Sequence, residues 1–119
     1  MQLNQSNPYK DELVNGIRIV SRAAPHYNHG VLIRLLGNNI EDNLDYPCRV
    51  ALDCLDVKFD NNNIRQPDIS VINVEDTFEG TVYTGKIKLV VEIWSPENKR
   101  SEREEKINLY KSNSINQTL

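Results

Sequence analysis

The stretch IKLVVEIWSP, Ile87 to Pro96, decides the fold. Its apolar residues run continuously instead of alternating, and Pro96 closes it, which predicts a strand covered on both faces in the middle of a sheet. Glu92 is out of character there. It sets a carboxylate among Val90, Val91, Ile93 and Trp94, and an unpaired buried charge is costly enough to be neutralised or to shift its pKa. A basic side chain or a metal ion must compensate it, and the second would make this strand the wall of a site.

Beyond Pro96, ENKRSEREEKINLYKSN has early acids, good helix formers, and Ile107 and Tyr110 three apart, which predicts a helix. Lys106 borders its apolar face and can lean back toward the sheet; the plainer alternative is a surface pair with Glu102, one turn earlier. Before Ile87, EDTFEGTVYTGK has two glycines and no sustained period and reads as a loop. Upstream again, IRQPDISVINV predicts a strand from Asp68 to Val74 that Pro67 introduces, with Asp68, Ser70 and Ile72 on one face and Ile69, Val71 and Asn73 on the other. CRVALDCLDVKFD predicts a strand ending near Phe59, followed by a polar turn.

Toward the N-terminus the period changes. Between Pro25 and about Leu44, Leu32, Leu35, Leu36 and Ile40 recur at helical spacing and predict an amphipathic helix lying across the sheet, with Gly37 a weak point. His26 and His29 stand near its start, but no further metal ligands accompany them locally, so they read as structural or surface histidines. In YKDELVNGIRIVSR, Asn15-Gly16 is a tight-turn dipeptide that predicts an opening hairpin, with Glu12 a solvent-facing strand residue on local grounds.

The 119 residues suit one domain. The hydrophobic fraction is 39%, and nothing approaches the roughly 18 consecutive apolar residues of a membrane span. The N-terminal MQLNQSNPYK lacks a secretory pattern, so the expectation is a soluble, cytoplasmic protein. Cys48 and Cys54 agree with it, reading as two reduced thiols used as small apolar residues. A net charge of −3 excludes a nucleic-acid binder held by bulk charge alone. The basic residues of the last third are interleaved with Glu97, Glu102, Glu104 and Glu105, as on an ordinary solvated helix.

Two acids on consecutive strands and a lysine on the following helix have a chemical purpose. Magnesium is held by one or two carboxylates while keeping waters and phosphate oxygens, a role open to Asp68 and Glu92. An ammonium beside them, Lys106, can orient water or offset charge building on a phosphate.

QPDISVI, VVEIWSP and EEKINLY, in that order, resemble the Uma-two family of restriction endonucleases, a branch of the PD-(D/E)XK nuclease superfamily. ELVNGIRIV, APHYNH and CRVALDCLDVKF resemble its N-terminal half, so the likeness runs from about Tyr9 to Tyr110. The resemblance implies an α/β (α+β) fold of restriction-endonuclease type over residues 1–119: a mixed sheet, an N-terminal hairpin and two flanking helices. It implies Asp68 and Glu92 as metal-binding acids, Mg2+ or Mn2+ as cofactor, and DNA as substrate. The superfamily's usual lysine, two residues after the second acid, is here Trp94; the family is similar in placing it on the next helix, at Lys106. Glu12 and His29 match further polar positions as supporting residues, and Glu102 stands where the family usually has aspartate. The family continues with one or two more strands where this chain ends in SNSINQTL, which implies a truncated gene product or a homodimer that covers the gap. Rival readings are a catalytically silent binding module on the nuclease fold, and a plain structural domain in which Glu92 pairs with Lys106.

Overall fold

The computed structural model describes residues 9–22, 27–94 and 98–113. Pro25, His26, Ser95, Pro96 and the C-terminal 114–119 lie outside them.

Asn15 and Gly16 adopt positive φ, 48° and 83°, the conformation a two-residue hairpin turn demands. They join β1 (Tyr9–Val14) to β2 (Ile17–Arg22) in an antiparallel ladder. Helix α1 (Tyr27–Asp42) follows, as the periodicity predicts, but rotated from the expected face. Leu32, Leu35 and Leu36 are exposed, whereas Ile33 and Gly37 are buried. The cause is Gly37, where a Cβ would stand 2.8 Å from Leu52 Cδ2. Its missing side chain lets α1 settle with Ile33, Gly37 and Ile40 toward the sheet and His29 one turn before Ile33.

The expected strand ending near Phe59 is two, β3 (Cys48–Leu52) and β4 (Asp56–Asp60), which enter different sheets after a turn at Asp53–Cys54. Both thiols are free; Cys48 is half-buried, but Cys54 is exposed in the turn instead of serving as an apolar filler. Next come β5 (Asn63–Arg65), which the sequence reading did not separate, and β6 (Ile69–Asn73), buried along nearly its whole length. The stretch read as a loop contains a small hairpin, β7 (Phe78–Glu79) and β8 (Val82–Tyr83). It is pinned by Tyr83, fully buried, whose hydroxyl donates to the Lys86 carbonyl at 2.7 Å. β9 (Leu89–Val91) and α2 (Arg100–Ser112) complete the chain.

Among the described residues the strands form a six-stranded mixed sheet, order β2-β1-β5-β4-β8-β7, and a three-stranded antiparallel sheet, order β3-β6-β9. Only β4 and β8 pair in parallel in the larger one. The run from Ile87 is therefore covered on both faces but lies at a sheet edge; β6 is the middle strand. Val91 and Ile69 pack with Ile33 of α1, and Val90 and Ile72 pack with Val57, Tyr83, Leu109 and Tyr110. The small sheet is thus held between α1 and a layer built from α2 and the larger sheet, a mixed α+β architecture. No helix among the described residues is long and apolar enough to cross a membrane.

Candidate functional site

The register of the small sheet places the two acids. Ile69 pairs with Val91 at the last rung of the antiparallel β6–β9 ladder, so Asp68 and Glu92 face each other one step beyond it. Both are buried, 5% and 4% exposed, and each solves the other strand's hydrogen-bonding problem. The Asp68 amide donates to Glu92 Oε1 at 2.9 Å, and the Ile93 amide donates to Asp68 Oδ2 at 2.7 Å. These charge-assisted bonds replace ladder bonds where the strands end.

Each acid also has an ammonium on its second oxygen. Lys106 Nζ, from α2, lies 3.1 Å from Glu92 Oε2 and 5.8 Å above the Trp94 ring centroid. The sequence places Lys106 well, and its partner is the buried Glu92 instead of Glu102. Lys10 Nζ, from β1, lies 3.4 Å from Asp68 Oδ1 and donates to the Gln66 carbonyl at 2.9 Å. Burial pushes the Glu92 carboxyl up, while the Lys106 charge opposes that shift. Burial alone would lower the Lys106 ammonium, but the surrounding carboxylates, Glu92 foremost, hold it above its usual range. A Glu92 side chain that accepts from both an amide and an ammonium has the bonding of a carboxylate.

Glu12 is buried in β1, not solvent-facing, and its Oε2 accepts from the Gln66 amide at 2.6 Å. It thereby clamps the backbone leading into Asp68. His29 reaches over from α1, with Nε2 3.1 Å from the Ile93 carbonyl oxygen and 3.5 Å from Asp68 Oδ2. In contact with that carbonyl the Nε2 carries the proton, so His29 braces the strand end and is a neighbour, not a lone surface histidine. Glu102, one turn before Lys106 on α2, is exposed, and its Oε2 accepts from Asn98 at 3.4 Å.

These residues line a cleft of about 660 Å³ between the β1–β2 hairpin, the strand ends and α2. Its wall includes residues the sequence reading did not single out. Arg65, 1% exposed, makes a two-pronged pair with Glu105 of α2 at 3.0 and 2.7 Å and also donates to Asn63 Oδ1. That pair fastens α2 to β5. Lys10 could have been found: it stands two before Glu12 on a predicted strand, hence on the same face. Arg65 could not, because nothing in IRQPD announces a separate strand.

The donor chemistry suits a hard cation. Two carboxylates and the Ile93 carbonyl supply oxygen, with no soft sulfur ligand among them, and magnesium needs no more than one or two carboxylates from a protein. Among the described residues no cluster of three or more His, Cys, Asp or Glu side chains forms an all-protein metal cage, so water or substrate oxygens would have to complete any coordination shell.

The family model described as Uma2, "Putative restriction endonuclease", matches residues 1–118. The chain belongs to the Uma2 family. Its fold is shared by a solved structure described as "a putative nuclease belonging to DUF820 from Anabaena variabilis ATCC 29413", with a TM-score of 0.67 at 19% identity. The likeness covers 92% of this Uma2 chain and 64% of that one. No curated protein sequence matches.

Proposed function

We propose that this Uma2 chain is a metal-dependent endonuclease that hydrolyses DNA phosphodiester bonds, acting as one domain over residues 1–119. The observation that carries the reading is the pairing of Asp68 and Glu92 at the end of β6 and β9, on the wall of an open cleft, with the Lys106 ammonium on Glu92. Asp68 and Glu92 would hold Mg2+ or Mn2+. The chemistry such a cation supplies is Lewis-acid polarisation of phosphoryl oxygens and activation of water. Family membership and the nuclease-like fold support DNA as the substrate.

Within this reading the protein's own groups divide the labour. Glu12 and His29 fix the backbone on either side of the two acids, so the carboxylates are preorganised and need not reorganise during reaction. Lys106 stays charged through its partners and is aimed by Trp94; it orients the attacking water or stabilises the charge accumulating on the phosphate. A homodimer would present two such clefts, and light scattering of the purified protein would read its doubled mass.

The test is cleavage of supercoiled plasmid with Mg2+ or Mn2+, comparing wild type with Glu92→Gln. Wild type nicks the plasmid and the variant does not. Equal rates in the two proteins refute the site. A folded wild type that cuts nothing points to a binding module on the nuclease fold.

A further inference from the structure

The two acids are matched by two ammonium groups, but the two ion pairs differ. Glu92 Oε2 and Lys106 are 3.1 Å apart. Asp68 Oδ1 and Lys10 are 3.4 Å apart, long for a charge-assisted bond, whereas Lys10 makes its short 2.9 Å bond to the neutral Gln66 carbonyl. Lys10 is therefore moored to the backbone and only leans on the carboxylate. The other oxygen of Asp68 is engaged by the Ile93 amide, which leaves Oδ1 as the atom able to change partners. Both groups are largely removed from water, with Lys10 18% and Asp68 7% exposed.

Both oxygens of Asp68 and both of Glu92 already have partners, so a divalent cation can take one only by displacing a contact. The two amides are fixed by the strand ends, which leaves the two lysines, and the weaker contact is that of Lys10. A phosphate oxygen arriving with the substrate offers the released ammonium a new partner. Resting on the nuclease reading above, we propose that Lys10 is a resident counter-cation: it occupies the Asp68 oxygen a divalent cation needs, gives it up on loading, and then contacts the substrate phosphate as the site's second ammonium.

The experiment compares wild type, Lys10→Met and Lys10→Arg in two measurements on the full chain: calorimetric titration with Mn2+, and binding of a short DNA duplex in Ca2+ over a range of salt. Methionine keeps the apolar stem and removes the charge. Lys10→Met is expected to bind Mn2+ about tenfold tighter, because the competitor is gone, and to lose about one unit of the salt-dependence slope for the duplex. Lys10→Arg restores the slope. A merely structural Lys10 would lower thermal stability without tightening the cation, so unchanged or weaker Mn2+ binding by a folded Lys10→Met overturns the proposal. Tighter Mn2+ binding with an unchanged duplex slope overturns the phosphate contact. If wild type binds Mn2+ but cuts no DNA, the nuclease reading fails while the calorimetric comparison still decides the role of Lys10. If neither wild type nor Lys10→Met binds Mn2+, both fall.

Discussion

Replacing Lys106 by methionine isolates the cost of an uncompensated Glu92. The ammonium is 3.1 Å from Oε2 of a side chain that is 1% exposed, while Lys106 itself is 22% exposed. Coulomb's law at that distance with an effective dielectric constant of about 20 gives roughly 5 kcal/mol. Partial hydration of Lys106 reduces this, and loss of one partner of a buried pair typically costs about 3–5 kcal/mol, so the working figure is about 3 kcal/mol. For a domain of this size that corresponds to a melting temperature lower by roughly 10–15 °C. The deficit must also depend on pH. Burial raises the Glu92 carboxyl already in the presence of Lys106, and without the lysine it rises further. A group whose folded pKa lies above its unfolded value, 4.5 here, contributes fully below that value and loses its contribution as pH rises through the folded one. Lys106 is raised as well, but its own contribution is lost only in strong alkali and does not affect this window. Thermal melts of wild type and Lys106→Met at pH 5 and pH 8 should show a small deficit at the first and the full one at the second. Adding Glu92→Gln should remove most of the pH dependence. A melting temperature within 2 °C (roughly 0.5 kcal/mol) of wild type at pH 8, or a deficit equal at both pH values, refutes the argument.

Other expectations follow from single positions. Gly85→Ala would drive a Cβ into the Asp76 carboxylate and to 2.7 Å from the Tyr83 hydroxyl, so denaturant melts should show a loss of about 1–3 kcal/mol. Asp76 accepts from the Lys86 and Thr77 amides, which hold its carboxyl below the usual value of 3.8; its contribution is present above that value and lost as pH falls through the lower folded one, so the protection of the Lys86 amide, taken relative to its intrinsic exchange rate at each pH, should be lost first in acid. Gly16→Ala forces an L side chain to φ 83° and should cost about 1–2 kcal/mol, read as a lower melting temperature. Cys54, exposed, should react with a thiol reagent in the native protein well before the half-buried Cys48.

How much of this was legible beforehand depended on whether local chemistry or long-range packing decided the outcome. The hairpin was legible because Asn15-Gly16 carries its own turn signal. Glu92 was legible because a carboxylate in an apolar run needs a partner, and Lys106 because it borders the apolar face of its helix. The orientation of α1 was not. Leucines at helical spacing define a stripe, but Gly37 against Leu52 sets which side touches the sheet, and that contact joins residues 15 apart in the chain. Of the continuous run from Ile87 only Leu89–Val91 forms a strand, with Val90 and Val91 buried, and burial on both sides does not reveal whether a strand is central or at an edge. β7 and β8 escaped notice because two-residue strands have no period to read, and Arg65 because nothing in the local sequence announces β5; Lys10 carried a signal in its spacing to Glu12 that the reading did not use.

The reciprocal bonding of Asp68 and Glu92 makes the candidate site a register gauge. Each carboxylate is oriented by a backbone amide of the opposite strand end, so neither is in place until β6 and β9 have paired with Ile69 across from Val91. A slip of one residue would turn Glu92 to the other face and leave the Asp68 and Ile93 amides without those acceptors. Closing the sheet and assembling the site are one cooperative event, and misregistered chains carry no partly built site.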